Sequence, residues 1–196
     1  LRIVGPAWHG TRYAGGTRAP GPLTDLGRAL LDEMQQLGVI LDVSHLAEAS
    51  FWEALDRFSG AVIASHANCR AYVPTDRHLS DDMIRALAAR DAVIGTVLAN
   101  QFLVGGWKRG DPLPHLDAVV RHIDRICQLT GTARHCALGS DFDGGFGVES
   151  TPAEFDSVAD LEKVADALAT AGHSETDIEG ILGSNWLRLL ARALPV

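Results

Sequence analysis

Cysteine is scarce in this chain of 196 residues, where only Cys69, Cys127 and Cys136 occur. Their number is odd and no two of them form a CxxC pair, so the sequence offers neither a disulfide framework nor a thiolate zinc site. Free thiols are typical of proteins that are kept in a reducing compartment. We therefore predict a cytoplasmic location.

Positive charge and long apolar runs are also lacking. The chain has 17 Lys and Arg against 25 Asp and Glu, which gives a net charge of −8. This balance argues against nucleic acid or an anionic membrane as the main partner. No apolar run approaches the ~20 residues of a membrane span, and the first ten residues lack the cationic start of a signal peptide. The sequence thus predicts a globular protein without a nucleic-acid or membrane partner.

Short apolar strands alternate with amphipathic helices along the whole sequence, without a break in composition. This alternation indicates an α/β fold, a parallel sheet with helices outside, in one domain that spans 1–196. A closed (β/α)8 barrel needs eight strands and typically about 250 residues. The fold is therefore either an open doubly wound sheet or a barrel that lacks about three βα units. Five strands are predicted, near 2–7, 39–43, 61–64, 92–98 and 136–138.

Local signals set the limits of the helices. Thr24 and Ser80 are predicted N-caps, and Ser157 with Asp160 is a predicted capping box. Gly38 is expected to end the first helix. The segment 8–22, rich in Gly and Pro, is predicted to be a long loop. The apolar stripe of the first helix is predicted to consist of Leu26, Leu30, Met34 and Leu37.

Two apolar strands end in the same dipeptide, Ser44-His45 and Ser65-His66, about 21 residues apart. One βα repeat has this length, so the two imidazoles are expected side by side at the carboxyl ends of neighbouring strands. Neutral imidazole is a common zinc ligand. We predict that His45 and His66 bind zinc, although catalytic zinc sites usually have three protein ligands.

Other polar side chains follow strands at the same edge of the predicted sheet. Asp141 and Asp143 come after the last strand, and either could accept a proton from an attacking water; a simple turn is the alternative. An arginine in the loop after the second histidine could hold a substrate carboxylate, and Arg70 and Arg77 both qualify. His9, in the first loop, could donate a hydrogen bond to a developing oxyanion.

Five segments in the same order resemble the membrane-dipeptidase (renal dipeptidase) family of zinc peptidases, in its bacterial branch. They are LDVSHL, VIASHANCRA, DRHLSDDMIRALA, LGSDFDGG and GSNWLRLL. The resemblance runs from about Arg2 to Leu190. It implies a (β/α)8 TIM-type barrel with two zinc ions at its C-terminal mouth and hydrolysis of dipeptides by a metal-activated water. This chain would be a partial barrel of about the last five βα units.

The resemblance also implies roles for individual residues. His45 and His66 match two ligands of one zinc, and Arg77, rather than Arg70, matches the arginine that holds the substrate carboxylate. Asp141, the first Asp of DFDG, matches the catalytic aspartate over the water. A substrate-binding histidine of the family has its nearest counterpart in His9. The expected partners are a dipeptide substrate and, as one option, a second copy in a homodimer.

The sequence departs from the family pattern before His45. The family carries a His-x-Asp pair after its first strand and a bridging Glu after its third, whereas here no such pair occurs and the first Glu is Glu33. With three of five protein ligands absent, we expect at most one zinc and an N-terminally incomplete barrel with two open sheet edges. Such a chain is expected to aggregate or to need a partner. A catalytically inactive remnant, or another amidohydrolase-like hydrolase, is the alternative.

Overall fold

The computed structural model describes residues 1–194; the last two positions of the predicted 1–196 domain lie outside it. The strands are β1 Ile3–Val4, β2 Ala14–Gly16, β3 Ala19–Leu23, β4 Ile40–Asp42, β5 Val62–Ala64, β6 Val93–Thr96 and β7 Cys136–Leu138. The helices are α1 Asp25–Gln36, α2 Glu48–Arg57, α3 Asp81–Ala89, α4 Asn100–Leu103, α5 Asp117–Thr130, α6 Lys163–Thr170, α7 Glu175–Glu179 and α8 Asn185–Ala193.

The main sheet confirms the predicted α/β class. Its order is β1-β4-β5-β6-β7, and every neighbouring pair is parallel. All five predicted strands are present. Because consecutive strands lie next to each other and run in the same direction, their carboxyl ends meet at one edge of the sheet. The predicted site residues that follow these strands are therefore brought to the same place.

The predicted caps are present because they depend on neighbours only a few residues away. Thr24 Oγ1 accepts a hydrogen bond from the Gly27 amide at 3.1 Å. Ser80 caps α3 in the same way, and the Ser157–Asp160 capping box begins the helical segment that leads into α6. Gly38 follows α1 with φ of +63°, as a C-terminal cap requires.

The predicted apolar stripe of α1 is right at two of its four positions. Met34 is buried and Leu30 packs half-buried against the core, whereas Leu26 and Leu37 are 49% and 74% exposed. Gly27 and Leu31 are buried in their place. A Cβ on Gly27 would lie 2.0 Å from the Tyr13 carbonyl oxygen, so this glycine permits a close backbone contact. That tertiary contact fixes the helix face, and the sequence period alone could not show it.

The segment predicted to be a loop contains a hairpin. β2 and β3 pair in antiparallel fashion, with Ala14 opposite Leu23. Ser50 of α2 holds both strands, because its hydroxyl accepts from the Gly15 amide at 3.0 Å and donates to the Gly21 carbonyl at 2.8 Å. The turn between the strands is thereby held over the carboxyl end of the main sheet.

The C-terminal helix α8 covers the sheet face opposite to the other large helices. There Ile40, Ile63 and Val93 pack with Leu189. Side chains of α8 also reach β7, where Asn185 Nδ2 donates to the Cys136 carbonyl at 2.8 Å and Trp186 Nε1 to the Leu138 carbonyl at 2.9 Å. The sheet ends at β1 and at β7, as expected for an open sheet, and at β7 these two side chains satisfy carbonyls on the outer side.

Within the described 194 residues, no helix has both the length and the apolar content needed to cross a membrane.

Candidate metal and substrate site

The structure brings His45 and His66 together at the ends of β4 and β5. Their Nε2 atoms lie 3.0 Å apart. His45 has a φ of +69°, in the left-handed region that side chains other than glycine rarely adopt. Such backbone strain persists only where the surrounding structure imposes it. Here it turns the His45 imidazole toward its neighbour.

A chain of hydrogen bonds fixes which nitrogen of His66 carries a proton. Asp42 Oδ2 lies 2.5 Å from Ser65 Oγ, which lies 2.7 Å from His66 Nδ1. A carboxylate only accepts hydrogen bonds, so the Ser65 hydroxyl donates to Asp42 and accepts from Nδ1–H of His66. The lone pair of His66 is then on Nε2, the atom that faces His45.

Asp42 also fixes the backbone on both sides of the site. Its Oδ1 accepts from the amides of Ser44 and Ser65, each at 3.0 Å. The Ser44 hydroxyl in turn accepts from the His66 amide at 3.1 Å. One carboxylate therefore sets the relative position of the two dipeptides that carry the histidines.

His45 is held from the hairpin turn. Its Nδ1 lies 3.1 Å from the Thr17 hydroxyl, which can donate or accept, so the proton of His45 can reside on either nitrogen. Burial, followed by the charge of Arg77, lowers the pKa of His45 to about 3. The same two causes lower the pKa of His66, opposed by Asp141 and other carboxylates. Both imidazoles are consequently neutral at pH 7, which is the metal-binding form.

The separation of the two imidazoles suits a shared metal ion. Two nitrogens at 2.0–2.1 Å from a tetrahedral zinc are about 3.3–3.4 Å apart, close to the observed distance of 3.0 Å. Within residues 1–194, however, no group of three or more His, Cys, Asp or Glu side chains is placed to bind a metal. The described residues thus supply two ligands of a metal site, His45 and His66.

Arg77 is buried beside the histidines, with only 4% of its surface exposed. One Nη atom donates to the His66 carbonyl at 2.5 Å, and the guanidinium lies 5.3 Å from the centre of the Phe102 ring. Nε and the other Nη have no partner among the described residues. Burial lowers the pKa of Arg77 to about 10, so it remains cationic at neutral pH. A buried cation with free donors is suited to a carboxylate.

The alternative candidates for the arginine and aspartate roles, Arg70 and Asp143, lie in different environments. Arg70 is paired with Glu48 at 2.6 Å and donates to the His78 carbonyl, so its guanidinium is already engaged. Asp143 is exposed, whereas Asp141 is half-buried.

Asp141 lies in a tight turn with φ of +59°. Gly144 donates its amide to the Asp141 carbonyl at 2.8 Å, and a Cβ on Gly144 would lie 2.6 Å from the Asp141 carboxylate. The charge of Asp141 acts on both His66 and Arg77. Glycine at position 144 therefore leaves room for the carboxylate at the site.

A cavity of about 280 Å³ opens between the hairpin turn and Arg77. His9, His45 and Arg77 line it, together with Trp8 and Phe102. His9 is exposed, and its Nδ1 donates to the Thr17 carbonyl at 2.8 Å, which leaves Nε2 available. His66 and Asp141 do not line this cavity.

Several residues that shape the site were not predicted from the sequence. Asp42 could have been found, since an acidic residue at the end of a buried strand in LDVSHL needs polar partners. Ser65 could have been noted for the same reason. Thr17 and Phe102 gave no signal, because their contacts depend on the hairpin and on the loop after β6.

Comparison with known proteins identifies the family of this chain. Residues 7–194 match the family described as membrane dipeptidase (peptidase family M19). A Klebsiella pneumoniae protein described by its position in the pqqA 5′ region is 33% identical over 97% of this chain and 71% of its own length. An uncharacterized dipeptidase of Schizosaccharomyces pombe is 30% identical over 89% of this chain and 41% of its own length.

Solved structures show the same fold. The M19 metallopeptidase called dipeptidase AC superposes with a TM-score of 0.90 and 28% identity, over 98% of this chain and 58% of its own. A metallopeptidase from Rhodobacter sphaeroides, bound to a phosphinate mimic of the dipeptide L-Ala-D-Ala, superposes with a TM-score of 0.89 and 30% identity. The match covers 99% of this chain and 56% of that one. The chain thus spans little more than half of these structures, in agreement with the partial barrel that was predicted. It belongs to the membrane dipeptidase family, peptidase family M19.

Proposed function

We propose that this chain carries the substrate-anchoring side, and two zinc ligands, of a dipeptidase that hydrolyses dipeptides with the help of zinc. The observation that carries the proposal is the pair of Nε2 atoms at 3.0 Å beside a buried arginine with free donors. The family and the relatives named dipeptidase support the same substrate class. So does the dipeptide mimic bound to the Rhodobacter protein.

His45 and His66 would hold the zinc through Nε2. When bound, zinc supplies Lewis-acid polarisation of the scissile carbonyl and activation of a water. Asp42 and Ser65 keep the proton of His66 on Nδ1, away from the metal. This is the role that carboxylates commonly have behind histidine ligands.

Arg77 would hold the free carboxylate of the substrate with Nε and Nη, the two donors that lack partners among the described residues. A longer peptide has no carboxylate at that position, so burial of the cation favours dipeptides. Asp141 would accept the proton of the attacking water. His9 would contact the substrate at the mouth of the cavity through Nε2, which accepts a hydrogen bond while Nδ1 donates the ring proton to the Thr17 carbonyl.

A catalytically inactive remnant is the second candidate. It is favoured by one observation, that the described residues supply only two of the three protein ligands usual in catalytic zinc sites. The free thiols agree with a cytoplasmic location in either case.

Zinc content and hydrolysis of L-Ala-D-Ala separate the two candidates. We expect one zinc per chain at most, lost in His45→Ala and His66→Ala. Arg77→Lys should raise KM for the dipeptide by roughly tenfold or more while leaving the dipeptide amide unaffected, because the amide lacks the carboxylate. Arg70→Lys is the matched control, since its partner is Glu48. Zinc binding without any turnover would favour the inactive remnant. An equal rise in KM for the dipeptide and for its amide in Arg77→Lys would refute the role of Arg77.

A further inference from the structure

Two of the three cysteines lie in direct contact, away from the candidate metal and substrate site. Cys127 is near the end of α5 and Cys136 begins β7, and their Sγ atoms are 3.5 Å apart. Both are free thiols; Cys136 is buried and Cys127 is half-buried. The chain reverses between them at Gly131, which has a φ of +75°. This turn folds the two sulfurs against each other across a gap of nine positions.

Cys69 provides an internal comparison. It is buried, and its sulfur lies 3.4 Å from the His122 carbonyl. Burial raises its pKa to about 12. A buried, protonated thiol of this kind behaves as a small apolar side chain. The contact between Cys127 and Cys136 is therefore a specific feature of that pair.

The two contacting thiols are chemically unequal. The hydrogen bond from Cys136 lowers the pKa of Cys127, opposed by burial and by the carboxylates of Asp124 and Asp177. The same hydrogen bond, together with burial, raises the pKa of Cys136. The more exposed sulfur is thus the better nucleophile, and the buried sulfur lies against it as a resolving thiol.

We propose that Cys127 and Cys136 are an oxidisable pair that closes to a disulfide in the folded chain when a peroxide is present. A disulfide needs sulfurs about 2.03–2.05 Å apart, so they must approach by about 1.5 Å. Cys136 is held in β7, where its carbonyl accepts from Asn185. The movement is therefore assigned to Cys127, whose helix ends three residues later.

The reaction balances with hydrogen peroxide as the oxidant. The thiolate of Cys127 attacks one peroxide oxygen, an S–O bond forms, the O–O bond breaks and water leaves after protonation. Cys136 then attacks the sulfenic sulfur, the S–S bond forms, the S–O bond breaks and a second water leaves. Two thiols are oxidised, and one peroxide is reduced to two waters. In a reducing compartment such a bond would be transient and reversible.

Mass spectrometry can test the pairing on the full chain. Trypsin cleaves after Arg125, Arg134 and Lys163, so Cys127 and Cys136 fall in separate peptides, 126–134 and 135–163. After treatment with one equivalent of hydrogen peroxide and alkylation of free thiols, we expect these two peptides to be joined, with Cys69 alkylated. Cys127→Ser should abolish the joined species, and Cys69→Ser should leave it unchanged.

A second measurement distinguishes a folded pair from two cysteines that are merely close in sequence. The equilibrium constant for disulfide formation against glutathione should be at least roughly tenfold larger in the folded chain than in urea. An equal or smaller constant in the folded chain would overturn the proposal, because the fold would then resist the bond. Linkage to Cys69, or oxidation of Cys127 to sulfinic acid without a joined peptide, would also overturn it.

Discussion

Asp42→Asn should reverse the protonation of His66 while keeping the size and shape of the side chain. In the native chain the Asp42 carboxylate forces the Ser65 hydroxyl to donate to it, so that Ser65 accepts from Nδ1 of His66. The backbone amides of Ser44 and Ser65 hold Oδ1, so the NH₂ group of the new side-chain amide is placed toward the Ser65 hydroxyl. That hydroxyl is then released from Asp42 and can donate to Nδ1 of His66, a closer partner at 2.7 Å than the Ser44 hydroxyl at 3.3 Å, and this moves the proton of His66 to Nε2.

The expected loss of stability in Asp42→Asn follows from the hydrogen bonds that change. Hydrogen bonds to a charged acceptor contribute about 1.5–3 kcal/mol and those to a neutral acceptor about 0.5–1.5 kcal/mol. Each of the three bonds to Asp42 loses about 1–1.5 kcal/mol on this basis, so we expect a loss of about 3–4 kcal/mol in the free energy of unfolding. Zinc affinity should fall by about 10–100-fold, the usual effect of removing a carboxylate behind a histidine ligand.

Two assays separate the local effect from general damage. Long-range ¹H–¹⁵N correlation spectra report which nitrogen of each histidine is protonated, and a zinc titration reports the affinity. Ser65→Ala should leave neither tautomer of His66 favoured, since it removes the relay between the carboxylate and the ring. Asp76→Asn is the matched control, because Asp76 accepts from the Arg18 amide at the other side of the cavity. An unchanged His66 tautomer and unchanged zinc affinity in Asp42→Asn would refute this reasoning.

Three further predictions concern stability and the turn after β7. Both ring nitrogens of buried His78 lack partners within the described chain, and burial lowers its pKa from 6.5 to about 3. The unfolded chain therefore takes up this proton first, and the stability present above about pH 6.5 is lost as the pH falls toward 3. His78→Leu should flatten the fall in unfolding free energy between about pH 6 and 4 by up to about 1.4 kcal/mol per pH unit, as measured by urea titration; an unchanged slope would contradict it. Asn185→Ala removes two hydrogen bonds to backbone carbonyls around the start of β7, so it should cost about 2–3 kcal/mol and lower Tm by roughly 5–10 °C in calorimetry. Gly144→Ala should displace the Asp141 carboxylate and reduce dipeptide turnover at least about tenfold with zinc content unchanged, because the added Cβ would lie 2.6 Å from that carboxylate. Gly183→Ala, where a Cβ meets nothing within 4 Å, should have no such effect.

The strands and caps could be predicted from the sequence because their causes are local. A run such as Val39–Val43 specifies a buried strand by itself, and Thr24 satisfies an amide only three residues away. The histidine pair was also accessible, since strands of one parallel sheet end at the same edge. The 21-residue spacing of His45 and His66 therefore predicted that the two side chains lie close together, and the distance between their Nε2 atoms agrees with this prediction.

Features that depend on distant contacts could not be predicted. The buried face of α1 is set by the approach of Gly27 to the Tyr13 carbonyl. Leu26 and Leu37, which were predicted to belong to that face, are exposed. The hairpin rests on Ser50, which lies about thirty residues away in α2. Because Thr17 belongs to that hairpin, its contact with His45 had no signal in the local sequence.

The backbone conformation adds an argument about where the fold stores strain. Among the described residues, four that are not glycine have positive φ: Arg18, His45, Asp91 and Asp141. Three of them belong to the candidate site, at the hairpin turn, the first histidine and the turn after β7. Each such conformation costs of order 1–3 kcal/mol and persists only where neighbouring contacts impose it.

Asp91 shows what offsets such strain elsewhere. It lies at the other end of the sheet, where its carboxylate binds Arg134, Arg188 and Arg192. At His45 the compensating contacts are the Thr17 hydroxyl and the neighbouring imidazole. A ligand held between the two Nε2 atoms would add stabilisation at the strained residue itself. Zinc should therefore raise the Tm of the native chain but not that of His45→Gly, which has no strain to offset and no imidazole to bind; an equal rise in both would show that the metal binds elsewhere.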